Sequence, residues 1–164
     1  MLSAAAAPRA VILGGFAAGT LDILDAMLFS YWLRGVSPVR VLQAVASGLV
    51  GRDAFDGGMA TAHLGLGLHF LIALTVAAVY VHAARFWPAL IHRPVAFGVA
   101  YGIAVYFFMR YLVLPLSAVG SLGFSWPAFI NGILIHAFGV GLPIAVIARR
   151  SATAPARRVA PTSV

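Results

Sequence analysis

The chain has 164 residues, 62% of them hydrophobic and 9% charged, with a mean hydropathy of +1.00. Soluble domains carry about 25% charged residues, so the composition excludes an ordinary globular protein and indicates residence in lipid. The net charge of +7 comes from eleven arginines with no lysine; they flank apolar runs, which suggests membrane orientation and excludes nucleic acid as a partner. Cysteine is absent, so disulfides, thiolate metal sites and cysteine nucleophiles are excluded.

Residues 1–7 are small, Arg9 follows, and the first apolar run covers 10–33. A signal peptide has the reverse order, basic start first and small-residue cleavage site last, so this span is expected to be retained. Its length crosses a bilayer. Gly15 and Gly19 form a Gly-x-x-x-Gly step that lets helix backbones approach closely. Asp22 and Asp25 sit near its middle. Ionised groups at that depth cost roughly 2.5 to 3.5 kcal/mol each, so they need a partner, a polar cavity or a bound proton.

After the first span, Ser37 can cap a helix that begins at Pro38. Val39, Leu42, Val45, Ala46 and Leu49 form one face and Arg40, Gln43 and Ser47 the other, the pattern of a short amphipathic helix lying at the membrane interface. Residues 53–57 read Asp-x-x-Asp-Gly, the opening of a CDP-alcohol phosphotransferase motif. That motif needs two further aspartates and none follows Asp56, so this chemistry is excluded. With no phosphate loop, serine-nucleophile setting or zinc-protease signature, the chain is not expected to be an enzyme.

The second span, 62–84, contains His63 and His69, which stand about 120° apart around a helix and cannot chelate one metal together. Residues 85–94 hold Pro88 and Pro94 and predict a tight hairpin into the third span, 95–117, with Gly98, Gly102, Tyr106 and Arg110. The uncharged loop 118–127 carries Phe124 and Trp126, as at an aromatic interface belt. In the fourth span, 128–148, Gly132, His136, Gly139 and Pro143 share a packing stripe. Residues 1–150 are read as one transmembrane domain, and 151–164, rich in Ala, Pro, Ser, Thr and Arg, as a disordered cytoplasmic tail.

Seven arginines fall on the side of the termini and three on the other, which predicts both termini in the cytoplasm. At a rise of 1.5 Å per residue, Asp25 lies roughly 12 Å deep from the outer end, His69 and Arg110 roughly 10 Å, and His136 roughly 15 Å. One ionisable residue from each span thus falls in one layer. Asp22 lies one turn deeper, and Thr20, Tyr106 and Asn131 extend the layer. Arg110 and Asp25, opposite charges at matched depth, are expected to pair between the first and third spans. Such a layer serves either as a buried network that fixes packing or as a proton relay or small polar site.

From His69 onward the sequence resembles the YagU-type bacterial inner-membrane proteins. The likeness rests on His69 with the run 80–88, on Pro115-Leu116 and on 132–136 leading to Arg149-Arg150. It covers the last three spans, about 100 residues, and is weaker in the first span. Arg110 departs from the pattern, which has a histidine near this position. The resemblance implies an inner-membrane protein associated with acid tolerance.

The fold expected is all-α: a four-helix transmembrane bundle with the short helix between spans one and two. It is expected to form a homo-oligomer or to join a larger membrane complex. The leading function is proton-linked or small-solute handling at Asp22, Asp25, His69, Arg110 and His136. An auxiliary subunit that uses the layer only for stability is the alternative. A third reading is an electron-transfer subunit with haem held by His69 and His136; otherwise no cofactor or metal is expected.

Overall fold

The computed structural model describes residues 6–120 and 123–153, and helices account for nearly all of them. Four are long and apolar enough to cross a membrane: α1 (Ala7–Arg34), α3 (Gly58–Phe86), α4 (Pro94–Leu116) and α5 (Trp126–Thr153). The short helix α2 (Pro38–Val50) lies between α1 and α3. No strand occurs among the described residues. The chain is therefore an all-α, four-helix membrane-spanning bundle. The last helix runs on to Thr153, so 151–153 of the expected tail 151–164 are helical, and its remainder, 154–164, lies outside the described residues.

Local chemistry sets the ends. Pro8 occupies the first turn of α1, where its missing N–H costs nothing. The helix stops at Gly35, whose φ of 65° is left-handed, with Val36 N–H donating back to Ser30 O. Ser37 then accepts from Arg40 N–H at 3.4 Å and Pro38 opens α2. Between α3 and α4 a single helical turn, Ala89–His92, makes the tight connection.

α5 lies between α1 and α4, and α1 also packs along α3. Lipid supplies no hydrophobic drive between helices, so small residues set these contacts. A Cβ on Gly15 would stand 2.9 Å from Leu74 Cα, and one on Gly19 would meet the Phe70 ring at 2.9 Å. On α4, a Cβ at Gly98 would lie 3.0 Å from Gly141 O, and one at Gly102 would run into the His136 carbonyl. Gly132 makes room for the Tyr106 ring, whereas Gly139 faces Ile135 of its own helix. α3 and α4 meet through tyrosines: Tyr101 OH donates to Val76 O (2.7 Å), and its ring stands 5.0 Å from that of Tyr80.

The tightest core sits toward the termini, where Ala10, Ala77, Tyr80, Val81, Ile144 and Ala148 are buried. At the opposite end α2 packs on α3, with Leu42 O against Gly65. Its buried face contains Gln43 and Ser47, while Val39 and Leu49 are exposed. That face is mixed, with Val41 and Ala46 buried beside Gln43 and Ser47 while Arg40 is exposed. Gln43 donates to Gly58 O at 3.0 Å and Ser47 to Ala44 O at 2.7 Å, and Val39 and Leu49 are left for lipid.

Gly102→Ala should lower thermal stability in mild detergent by about 1–3 kcal/mol, because the backbone of α5 cannot yield to a new methyl as a side chain would. Gly67→Ala, with open space around it, should leave stability near that of the parent. Equal effects at both positions would show that the α4–α5 approach does not limit the fold.

Candidate functional site: a buried polar layer

The layer is built on the middle turns of α1 and the first half of α5. Asp22 stands three residues beyond Gly19 on α1, so close packing on α3 and the carboxylate occupy adjoining parts of one face. Asp22 Oδ1 lies 3.8 Å from His136 Nδ1, and the side chains are 25% and 19% exposed respectively. That separation is too long for a hydrogen bond. His136 Nδ1 is buried and has no hydrogen-bond partner among the described residues. The Tyr106 ring stands edge-on to the imidazole, 5.4 Å away at 73°.

Asp25, one turn along, accepts from Asn131 Nδ2 at 2.7 Å. This bond joins α1 to α5 within their spans. His69 on α3 holds Gly19 O with Nε2 at 2.8 Å. A carbonyl oxygen only accepts, so Nε2 carries a proton. His69 thereby braces α1 one turn before Asp22.

His136 lies in a π-helical stretch, Ile135–Gly141, and Arg110 in another, Met109–Val113. Each precedes a proline, Pro143 or Pro115, in the same long helix. Proline has no N–H and its ring presses on the carbonyl four residues back, here Gly139 or Tyr111, so the helix widens at that turn. In α5 the widening coincides with the place where Gly102 of α4 abuts the His136 carbonyl.

Five of the expected members therefore meet across α1 and α5 or brace that junction: Asp22 with His136, Asp25 with Asn131, and Tyr106 against His136. His69 is tied in through Gly19. Thr20 is exposed and turned away. The expected Asp25–Arg110 ion pair is replaced by other partners. Arg110 Nη2 donates to Gly123 O at 2.9 Å, and its guanidinium lies 5.8 Å from the Tyr111 ring centre. Two causes combine: α5 separates α1 from α4, and a long arginine stem reaches toward the membrane interface.

Arg110, Tyr106, Arg34 and Ser125 line a crevice of about 480 Å³ at the end of the bundle opposite the termini. Tyr106 belongs both to this crevice and to the wall of the His136 site. Of the two imidazoles required by the haem reading, His69 holds Gly19 O through Nε2, whereas His136 makes no hydrogen bond at Nδ1. His63 and His92 are exposed, and His82 bonds Ala78 O of its own helix. Composition gave no hint of the Gly65 and Gly141 contacts, and the packing and likeness expected of Pro143 and Pro115 did not foretell the wide turns that precede them. No family model matches the chain, and no curated protein or solved structure matches it.

The Asp25–Asn131 bond should appear in a double-mutant cycle on thermal stability in detergent. Asp25→Asn with Asn131→Ala should couple by about 1 kcal/mol, whereas Asp25→Asn with Arg110→Gln should add without coupling. Coupling in the second pair would restore the ion pair and contradict the helix order described above.

Proposed function

We propose that the protein moves protons, alone or with a small polar solute, through the Asp22–His136 pair. The observation that carries this reading is His136 Nδ1, buried without a hydrogen bond and 3.8 Å from a carboxylate oxygen. A purely structural imidazole in the same layer looks different: His69 has its carbonyl partner at 2.8 Å. Intramembrane ionisable groups that are not simply satisfied mark ion or substrate paths. A small rotation about either side chain brings Asp22 and His136 into bonding range, and a proton on one can then pass to the other. Arg110, Tyr106 and the crevice supply access from the end opposite the termini, while the alanine-packed core closes the other end in this conformation.

Asp25 and His69 serve in this scheme as positioning residues, because each is held by a single structural bond. The arginine bias supports cytoplasmic termini, and the likeness to YagU-type proteins supports a bacterial inner membrane and a part in acid tolerance.

In liposomes loaded with a pH-sensitive dye, the parent should dissipate an imposed pH gradient. Asp22→Asn and His136→Gln should each slow that flux by about tenfold or more, in the range of a lost proton-transfer group. Thr20→Ala, on the exposed side, should leave it unchanged. Equal flux in parent and Asp22→Asn, or none in either, would overturn the reading in favour of an auxiliary subunit with a structural polar layer.

A further inference from the structure

The three arginines between the end of α1 and the start of α3, Arg34, Arg40 and Arg52, all line one cavity of about 670 Å³. It opens at the bundle end opposite the termini, does not include the Asp22–His136 pair, and shares Arg34 with the crevice beside Arg110. Val36, Val41 and Phe55 form its apolar wall, and Asp56 is the single carboxylate on it. Three positive groups against one negative leave a formal charge of +2.

Arg40 is already fixed. Its Nη1 donates to Phe55 O at 2.9 Å and to Gln43 Oε1 at 3.5 Å, and the guanidinium stacks 5.2 Å from the Phe55 ring centre. The guanidinium groups of Arg34 and Arg52 have no such partner among the described residues. Nor does any arginine there lie within 4 Å of a carboxylate. Arg34, Arg40 and Arg52 are exposed, and like charges gathered around one hollow repel, a repulsion that an anion seated among them relieves. Exposed Tyr31 and Trp32 on the last turn of α1 put the cavity at the level of an interfacial aromatic belt, where phosphate groups are dense.

We propose that this cavity binds a phosphate group, with Arg34 and Arg52 as its free guanidinium ligands and Arg40 as a fixed rim. The planar fork of arginine matches two phosphate oxygens at once, which a lysine cannot do. The apolar wall accepts the carbon skeleton that a phospholipid brings, and free phosphate uses the arginines alone.

The test is thermal unfolding of the purified full-length protein in an uncharged detergent, titrated with short-chain phosphatidylglycerol, with inorganic phosphate, or with sodium chloride at equal ionic strength. Saturable stabilisation by either phosphate compound beyond that of sodium chloride supports the site. A lower half-saturation for the lipid identifies a headgroup, and equal values identify free phosphate. Arg34→Gln and Arg52→Gln should each raise the half-saturation concentration by at least about tenfold, the loss expected for a charge-assisted hydrogen bond. Arg85→Gln, at the other end of the bundle, should leave it unchanged. Stabilisation no greater than that of sodium chloride overturns the proposal. So does a response unaltered in Arg34→Gln and Arg52→Gln, or one lost equally in Arg85→Gln.

Discussion

Backbone contact between α4 and α5 is the constraint on which the rest of the structure depends. In hydrocarbon, apolar side chains gain nothing by leaving lipid for one another, so helices associate through close fit and internal hydrogen bonds. Gly98 and Gly102 bring α4 onto the carbonyls of Gly141 and His136. α5 is thereby placed between α4 and α1, with the His136 ring between Tyr106 on one side and Asp22 on the other. The glycines of α1 do the same against α3, and His69 bonds the carbonyl of one of them.

The wide turns explain why a histidine can be left without a hydrogen bond in such a setting. A regular α-helix fixes each side chain at 100° intervals, and helix packing then dictates what every position meets. The π-helical stretch at Ile135–Gly141 departs from that spacing, and His136 is carried on it. Burying an unpartnered polar atom costs about 1–3 kcal/mol. A fold that tolerates this at His136, while satisfying His69 and Asp25 with ordinary bonds, concentrates its instability at one acid–base pair. π-Helical turns are frequent at functional sites.

Much of this was legible in the sequence because hydropathy and glycine spacing are local signals. The four spans, the hairpin around Pro88 and the short helix after Ser37 needed only length, composition and capping rules. Depth counting found Asp22, Asp25, His136, Tyr106 and Asn131, since distance along a helix axis follows from residue number alone. It failed for Arg110 because matched depth does not make two helices neighbours, and α5 intervenes between α1 and α4. It failed for Thr20 because that side chain is on the exposed side. The facing of α2 was hidden for another reason: in lipid an exposed Val39 or Leu49 carries no penalty, so amphipathicity does not say which face is buried. The backbone partners of His69 and Gln43 left no trace in side-chain pattern.

The central claim is that Asp22 and His136 share a proton, and infrared difference spectroscopy of the protein in liposomes tests it most directly. A step in pH should produce a carboxyl band that is absent from Asp22→Asn and therefore belongs to Asp22. The account predicts that replacing His136 with glutamine moves that band in frequency, because the imidazole is the nearest group to the carboxyl oxygen. An Asp22 band identical in the parent and in His136→Gln would mean that the two side chains do not exchange a proton, and would contradict the account.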